Sequence, residues 1–509
     1  MNSPATARIA LAALLIFSAS IAIGAEKKPV AVLAEIKLAL ADKTRDLSAI
    51  LVKLEAFKPT TPAETEELRS LKVTVIYKQG EAAHLARKYD EAIVYLRNAA
   101  SLCDQKPRPE EWVKVHHLLA IVLNDNGQFD EAIPIAKEVL TIQERTFGPK
   151  HPDTFRAMGN LANCLREKGD IATAETLYRT AIPGLESTLV PDHNETLGCL
   201  NNLAIVLHAK RDFDAAELLY RRALAAYERT LGPDHLETLG CVNNLAITLR
   251  EKDDLDAAEP LQRRAFEGFR RTLGPEHRRT LGSLNNLATV TYEQGDMTTA
   301  EKLYRQAHEA FERTLGAEHL ETLRCLCNLA KALSGKGDLA AAEPLCRRVL
   351  AALERTYGPE HEFVIVCADN LAELLDKKGD RDEAASLYQR VLKAREKNLG
   401  PDHPDTLISV TSLANVLSDK RDITTAEALY LRALKAYERK LGLDHPDTSF
   451  AAYNLALFYQ HQKDFTKALP FAERAFKGWK KELGEGNDYT IDAKKLVDEL
   501  NLNKAVSRM

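Results

Sequence analysis

Residues 196–235 read TLGCLNNLAIVLHAKRDFDAAELLYRRALAAYERTLGPDH, and close copies of this stretch fill most of the 509-residue chain. Apolar residues recur at helical spacing in its first half, as at Leu200 and Leu203, and again in its second half, as at Tyr220 and Ala223. A Lys-Arg-Asp triplet interrupts the pattern between the two halves. Other copies have Lys-Gly-Asp there, as at 168–170, where glycine is predicted to end a helix and aspartate to begin the next loop. The stretch therefore predicts two antiparallel helices, helix A and helix B, joined by a short turn.

Eight histidines mark the period of the copies. They follow one another at an unvarying interval of 42 residues, at His151, His193, His235, His277, His319, His361, His403 and His445. A fixed interval of this size is typical of a solenoid, in which each copy is one helical unit and neighbouring copies bury a continuous core. We expect each histidine to form a hydrogen bond within its own loop.

The loops between the helices carry stop and start signals. In Leu-Gly-Pro-Asp-His at 231–235, glycine ends helix B, proline prevents its continuation, and acidic residues after the histidine favour the start of the next helix A. Small residues recur at one site of helix B, which predicts a close approach of the two helices. They are Ala174, Ala216, Ala258, Ala300, Ala342, Ala384, Ala426 and Ala468.

These residues resemble a known repeat. Leu161-Ala162, Ala174, Tyr178 and Ala181 lie at the spacing of the tetratricopeptide repeat signature. The Asn-Asn-Leu-Ala start of helix A, the 42-residue length and the Leu-Gly-Pro-Asp-His-Pro-Asp-Thr loop are similar to kinesin light chain repeats. The resemblance covers residues 68–483, about ten units, and implies an all-α fold, a right-handed α-solenoid of antiparallel helix pairs. In such repeats helix A lines a concave groove that binds extended peptides.

Composition and motifs argue against several other classes of function. A net charge of −5, with both signs interspersed, gives no reason to expect nucleic acid as a partner. Histidines one repeat apart would lie roughly 10 Å from each other, so they cannot converge on one zinc ion. The sequence has no phosphate-binding glycine loop and no nucleophile or metalloprotease motif. We therefore predict a protein that is not an enzyme and needs no metal or cofactor.

The amino terminus predicts export. Arg8 precedes an apolar stretch at 9–24, and Ala25 is followed abruptly by charged residues. This arrangement is typical of a secretory signal peptide, predicted at 1–25, and the apolar stretch is shorter than the roughly 20 residues that span a bilayer. The mature chain is then periplasmic or extracellular, without a membrane span. An uncleaved segment that anchors the chain in a membrane is the alternative.

The repeat array, predicted at 68–483, has a flank at each end. Leucines seven residues apart at 33, 40, 47 and 54 predict that residues 26–67 form either a helical cap on the first repeat or a short coiled coil. In the second case residues 26–58 would form a homodimer. Residues 484–509 are predicted to form a C-terminal capping helix whose Leu500 and Leu502 cover the last apolar face.

The cysteines are not expected to form a disulfide framework. Cys199, Cys241, Cys325 and Cys367 occupy one equivalent position in different repeats. Equivalent positions in stacked helices lie about 8–10 Å apart, whereas a disulfide needs Cα atoms within about 7 Å. We interpret these cysteines as small packing residues.

Two rows of asparagines in helix A are the candidate binding residues. The first row contains Asn201, Asn243 and Asn285, and the second contains Asn160, Asn202, Asn244, Asn286 and Asn328. An asparagine amide both donates and accepts hydrogen bonds, so it can pair with a peptide backbone whatever its side chains. Alternatively, the second row bridges to the backbone of the neighbouring repeat and holds the stack. The first row is therefore the better prediction for ligand contact.

Basic residues near these rows predict an acidic partner, as the resemblance also implies. They are Arg156, Arg166, Arg250, Arg324 and Lys331. After about residue 360 this character changes, because Asp369 and Asp419 bring acidity and Phe450 and Tyr453 bring aromatic rings. The change leaves two alternatives open, namely a second, different binding zone and a covered end of the groove.

Taken together, the sequence predicts an exported, non-enzymatic scaffold that binds a peptide or protein segment in its concave groove. The runner-up is a structural component that self-assembles, or joins an envelope complex, through the ends of the solenoid.

Overall fold

The computed structural model describes residues 29–41, 46–103, 109–190 and 192–506. Within these ranges the chain forms 23 α-helices and no strand, which confirms the predicted all-α fold of tandem helix pairs. The helices divide into two compact units, Met1–Pro233 and Asp234–Met509. The predicted signal peptide at 1–25 lies outside the described residues, so export stays a prediction.

Ten helices belong to the first unit, and consecutive helices pack against each other. They are α1 (Pro29–Ala41), α2 (Leu47–Ala56), α3 (Pro62–Leu85), α4 (Tyr89–Leu102), α5 (Pro109–Asp125), α6 (Phe129–Phe147), α7 (Pro152–Lys168), α8 (Ile171–Thr188), α9 (Asn194–Ala209) and α10 (Phe213–Thr230).

Thirteen helices belong to the second unit and also pack in chain order. They are α11 (Leu236–Glu251), α12 (Leu255–Leu273), α13 (Arg278–Glu293), α14 (Met297–Leu315), α15 (Leu320–Gly335), α16 (Leu339–Tyr357), α17 (Glu362–Lys378), α18 (Arg381–Leu399), α19 (Pro404–Asp419), α20 (Ile423–Leu441), α21 (Pro446–His461), α22 (Phe465–Leu483) and α23 (Asp488–Val506). None of the helices that the structure describes is both long and apolar enough to cross a bilayer.

The periodic histidines start the A helices. Each of the eight is an N-cap whose ring Nδ1 accepts a hydrogen bond from the backbone N–H two residues later, as between His319 and Glu321 at 3.2 Å. This bond satisfies one of the amide groups that a helix start leaves without an intrahelical partner. The predicted hydrogen bond within each loop is therefore confirmed.

The aspartates between paired helices have a different role from the predicted one. The sequence interpretation placed them at the start of a loop after glycine, as at Asp170. In the structure Asp170 is itself the N-cap of α8, because its carboxylate accepts a hydrogen bond from the Thr173 N–H at 3.2 Å. Gly169 adopts φ 93°, a left-handed conformation that costs glycine little, so α7 ends and α8 begins within two residues.

The small residues of helix B lie where the paired helices meet. All eight alanines at this site are fully buried, which confirms the predicted close approach. A larger side chain would separate the helices here, so the size of this residue sets the spacing on which the core depends. All eight cysteines carry free thiols, and Cys241, Cys325 and Cys367 are buried in the core as packing residues.

Both flanks pack on the array. Leu33 of α1 and Leu54 of α2 are buried in one cluster with Leu71 and Val75 of α3. These leucines therefore bury their side chains within the chain, while homodimerisation through 26–58 stays a prediction. At the other end Leu500 is fully buried, but Leu502 is 68% exposed, so its predicted role in covering the core is wrong. The physical reason is that side chains two positions apart on a helix point about 200° away from each other, so Leu502 faces away from the core that Leu500 enters.

The histidine caps lead to a prediction for stability. We expect His319→Ala to lower the free energy of unfolding by about 1 kcal/mol, because the Glu321 N–H loses its acceptor. His319→Asn should restore most of that loss, since asparagine is itself a good N-cap. Urea denaturation followed by helical circular dichroism measures both variants. An asparagine variant as unstable as the alanine variant would show that the cap bond is not the stabilising contact.

Candidate binding site on the A helices

The asparagines of the second row bond to the preceding repeat. Asn286 Nδ2 donates to Asn243 Oδ1 at 3.1 Å, and Asn328 Nδ2 donates to Asn285 Oδ1 at 3.3 Å. The same geometry continues where the acceptor is not an amide, because Asn370 Nδ2 lies 3.2 Å from Cys327 Sγ. Donor and acceptor are 43 residues apart in each case, so these bonds join neighbouring A helices of the second unit.

The first unit contains related contacts. Asn160 Nδ2 lies 2.7 Å from the Nε2 atom of His117, and Asn202 Nδ2 donates to Asn163 Oδ1 at 2.8 Å. Four of the five second-row asparagines, Asn160, Asn202, Asn286 and Asn328, thus hold neighbouring helices through side chains, whereas the predicted alternative was a bridge to backbone. This contact occupies their donor groups and accounts for their recurrence in structural terms.

The first row is used only in part by the fold. In the second unit Asn243 Oδ1 and Asn285 Oδ1 are both acceptors of the inter-repeat bonds. The Nδ2 groups of Asn201 and Asn243 each make a long bond of 3.4 Å to the adjacent second-row asparagine, Asn202 and Asn244 respectively. All three first-row side chains are partly exposed. Their role in ligand contact stays a prediction, and their amide N–H groups are the atoms best placed to serve it.

Most of the predicted basic residues have carboxylate partners. Arg156 pairs with Asp153 and with Glu195, whose oxygen lies 2.6 Å from Arg156 Nε. Arg166 pairs with the adjacent Glu167. These pairs reduce the positive potential that the first unit can offer to an acidic ligand.

In the second unit the basic residues are less completely paired. Arg250 pairs with Glu251 and lies 3.4 Å from Glu293, and Arg324 lies 3.3 Å from Glu321. Lys331 has no carboxylate within ion-pair distance among the described residues. Its Nζ atom instead lies 5.5 Å from the ring centre of Tyr292. Lys331 therefore keeps an exposed ammonium outside any ion pair, and such a group attracts a carboxylate.

A polar cavity of about 340 Å³ brings several of the predicted residues together. Six of the thirteen candidates line it, namely Arg250, Asn285, Asn286, Arg324, Asn328 and Lys331. The cavity lies within the second unit and is formed by helices α11 to α15. The remaining candidates, including Asn201, Arg156 and Arg166, do not line it.

Other residues of this cavity were not predicted from the sequence. Gln262 of α12 is fully buried, and Thr289, Tyr292, Glu293 and Tyr304 complete the polar lining. Burial raises the pKa of Glu293, although Arg250 acts in the opposite direction. The sequence does contain a signal for Gln262, because it occupies the helix B position that holds Tyr220 and Tyr304 in the neighbouring repeats.

The acidic and aromatic residues after about 360 are largely engaged within the fold. Asp369 lies 3.1 Å from Arg395, and Asp419 lies 2.9 Å from Arg381. Tyr453 packs at 5.4 Å, ring centre to ring centre, on Trp479, which is buried. Phe450 is 48% exposed and also faces Trp479. The second binding zone that the sequence left open stays a prediction.

Comparison with known proteins identifies the repeat. The sequence profile of the tetratricopeptide repeat matches eight overlapping segments, 113–187, 175–229, 195–271, 237–293, 279–355, 332–397, 377–439 and 406–481. Together these segments cover well over half of the chain. A secreted RxLR effector protein, RXLR-C07 of Plasmopara halstedii, is 28% identical over 137 residues. That alignment spans 24% of this chain and 42% of the relative, so the chain matches less than half of that protein's length.

Three solved structures are similar to parts of this chain. The nearly identical TPR-like repeats of a kinesin light chain from Podosopora anserina are 26% identical, with a TM-score of 0.38 over 40% of this chain and 98% of that one. BtubC from P. vanneervenii is 21% identical, with a TM-score of 0.39 over 45% and 92%. The apo form of RapI is 13% identical, with a TM-score of 0.53 over 73% and 99%. The likeness to RapI concerns the fold alone.

Proposed function

Because this chain belongs to the tetratricopeptide repeat family, whose members serve as scaffolds for protein interactions, we propose that it is an exported, non-enzymatic scaffold for an acidic peptide segment. The ligand lies on the A helices of the second unit, over α11, α13 and α15. One observation carries the proposal, namely that a single polar cavity is lined by three asparagines and three basic residues.

The chemistry of the cavity suits a peptide with a carboxylate. Asn285 presents an amide N–H to the backbone of an extended chain, because its oxygen is already held by Asn328. Lys331 supplies an exposed ammonium that forms no ion pair among the described residues, although Glu293 and Asp369 lie near enough to interact with its charge. Arg324 lies on the same lining and is only partly held by Glu321. A row of neutral donors beside two available cations favours an acidic segment over a neutral or basic one.

Charge reversal at Lys331 tests the proposed site. We expect Lys331→Glu to weaken binding of acidic peptides roughly tenfold or more, because it removes a charge-assisted contact and adds repulsion. The assay measures fluorescence anisotropy of the purified protein with a set of labelled dodecapeptides that carry two glutamates, and with the same set carrying glutamines instead. The wild-type protein should prefer the glutamate set.

Lys302→Glu is the matched control. Lys302 is exposed on α14, outside the cavity, and its reversal changes the net charge by the same amount. The control should bind like the wild type, with a change below about twofold. Equal losses in the two variants would show that long-range charge, and not the cavity, selects the ligand. Binding that neither variant changes would refute this site.

Export is the second part of the proposal. It is supported by the sequence of residues 1–25, in which a basic residue, an apolar stretch and a small residue follow one another. A protein that matches part of this chain is also described as secreted. The intact mass of the protein from its native host tests it. A mass equal to that of a chain beginning at Glu26 supports cleavage, and a mass that includes residues 1–25 contradicts it.

A further inference from the structure

One position in helix B is occupied by tyrosine in most repeats. It holds Tyr178, Tyr220, Tyr304, Tyr388 and Tyr430, and all five are buried. The phenol reaches the paired helix A fifteen residues earlier: Tyr178 donates to Asn163 Oδ1, and Tyr304 donates to Thr289 Oγ1 at 2.9 Å. A large ring therefore fills the space between the two helices in these repeats, and the hydroxyls of Tyr178, Tyr304 and Tyr430 each have a partner on helix A.

Gln262 interrupts this series of tyrosines, as Cys346 and Ala472 do in later repeats. Its counterpart fifteen residues earlier is Ile247, which has no polar side-chain atom to bond. The glutamine amide turns elsewhere, since Nε2 donates to Asn243 Oδ1 at 2.9 Å and to the Ser283 carbonyl at 3.4 Å. These two acceptors fix which way the amide faces. The space that a tyrosine ring would fill lies at the polar cavity, which both Ile247 and Gln262 line.

Gln262 leaves one atom without a partner. Its side chain is 0% exposed, and its Oε1 atom has no hydrogen-bond donor in the structure. Buried polar atoms are nearly always hydrogen-bonded, so a lone acceptor at a cavity wall indicates that a donor arrives from outside the chain. Asn285 lines the same cavity; its Oδ1 accepts from Asn328, and its Nδ2 makes no hydrogen bond among the described residues. The cavity thus offers one unused acceptor and one unused donor.

We propose that the Gln262 cavity is a specificity subsite for one neutral side chain that both donates and accepts hydrogen bonds. The carboxamides of asparagine and glutamine and the hydroxyls of serine, threonine and tyrosine share this chemistry. The inference rests on the proposed function, and adds that this side chain stands next to the acidic residue that Lys331 and Arg324 attract.

Other side chains fit less well for physical reasons. An aliphatic side chain leaves the Gln262 oxygen without a hydrogen bond. A carboxylate has no donor for this oxygen, and its own oxygens repel it. Lysine or arginine would place another positive charge beside Arg250, Arg324 and Lys331. Gln262 is fully buried while Asn285 is only partly buried, so a chain lying on the A helices reaches Gln262 with a side chain.

A positional peptide library tests the subsite directly. The probe is a set of labelled octapeptides with one fixed glutamate, in which each other position is set in turn to glutamine, asparagine, serine, tyrosine, methionine, leucine or lysine. We expect one position near the glutamate to prefer a carboxamide or hydroxyl over methionine by roughly tenfold. Comparison of the glutamine and asparagine peptides with the serine and tyrosine peptides shows whether the cavity binds a carboxamide or a hydroxyl. No preference at any position would overturn the proposal.

Two variants of Gln262 separate the acceptor from the space. Gln262→Met keeps the volume but removes the whole carboxamide, that is, the unused oxygen together with the Nε2 bonds to Asn243 and Ser283. The preference for glutamine over methionine should therefore fall to below about twofold while the preference for glutamate remains. Gln262→Tyr restores the residue of the neighbouring repeats and should close the cavity to any large side chain. Tyr388→Phe, at the equivalent position outside the cavity, is the control and should keep the full preference.

The outcomes distinguish the two proposals. If no acidic peptide binds the wild-type protein, the proposed function fails. If acidic peptides bind, but Gln262→Met retains the preference for glutamine, the function stands and the Gln262 subsite is refuted. Thermal unfolding of each variant, compared with the wild type, shows whether a loss of preference comes from a folded protein. The methionine variant keeps the test decisive if the tyrosine variant does not fold.

Discussion

Replacing Arg395 by leucine is expected to lower the free energy of unfolding by about 3 kcal/mol, because it leaves a largely buried carboxylate without its partner. Arg395 lies in α18, with a side chain that is 12% exposed. It donates to Asp369 Oδ2 at 3.1 Å and to Ser409 Oγ at 2.6 Å. It thereby connects α17, α18 and α19. Urea denaturation, with amide hydrogen exchange in these three helices, measures the loss where it occurs.

A second substitution should rescue the first. The position of Arg395 holds Leu353 and Phe311 in earlier repeats, and the position of Asp369 holds Asn285 and Asn243. The double variant Arg395→Leu, Asp369→Asn therefore places an apolar residue opposite an asparagine, as Phe311 and Asn285 do in an earlier repeat, and should recover most of the stability. A double variant as unstable as Arg395→Leu alone would show that the arginine stabilises through packing and not through its charge.

The pH dependence gives an independent check. Burial raises the pKa of Asp369, although Arg395 acts in the opposite direction, so removing Arg395 should raise this pKa further. A raised pKa in the folded state stabilises the fold at low pH, and this stabilisation is lost as pH rises. Arg395→Leu should therefore be closer to the wild type in mildly acidic solution than at neutral pH. The exposed pair Arg439–Asp402 is the control, and Arg439→Leu should cost about 0–1 kcal/mol.

The helix pairs could be predicted because local signals repeat. A single Leu-Gly-Pro-Asp-His loop is weak, but eight histidines at one interval make the period certain, and each copy repeats the same stop and start residues. Capping is local, so His319 and Glu321 are close in sequence as well as in space. The error at Leu502 has the opposite origin, since apolar character alone does not tell which face of a helix the core lies on.

The site could be predicted only in part, because its bonds join residues about one repeat apart. Sequence reasoning found Asn243, Asn285 and Asn286, but the bond from Asn286 to Asn243 depends on how neighbouring helices stack. It also missed Gln262, because residue types at helix B were interpreted as core. Comparison of equivalent positions, which shows glutamine where tyrosine is usual, contained the missing signal.

Equivalent positions also explain why Gly184 is glycine. A Cβ atom at Gly184 of α8 would lie 2.3 Å from Cε1 and Cζ of Phe155, a buried ring of α7. No such contact is tolerated without movement, and a buried ring has little room to move. We expect Gly184→Ala to lower the free energy of unfolding by about 2–3 kcal/mol, measured by urea denaturation.

Phe155 decides the size of this effect. Later repeats place Leu281 opposite Ala310 and Leu323 opposite Ala352 at the same two positions, so alanine is accepted opposite leucine in these two repeats. The repeat of Leu239 differs, because a Cβ atom at Gly268 would lie 2.4 Å from that leucine. Phe155→Leu alone should cost about 1 kcal/mol through lost volume. In the double variant Phe155→Leu, Gly184→Ala, the new methyl group occupies space that the ring has vacated. Its stability should therefore return close to that of the wild type.

Gly198 is the matched control for the change from glycine to alanine. It lies within α9 of the same unit, and a Cβ atom there would meet no other atom within 4 Å. Gly198→Ala should therefore raise the free energy of unfolding by about 0.5–1 kcal/mol, because alanine favours a helix interior more than glycine does. Opposite signs for Gly184→Ala and Gly198→Ala would show that the first variant is destabilised by the contact with Phe155. If both variants lower the free energy of unfolding, these helices are sensitive to substitution in general. The Phe155 contact would then be measured by how far the stability of Phe155→Leu, Gly184→Ala exceeds the sum of the two single effects.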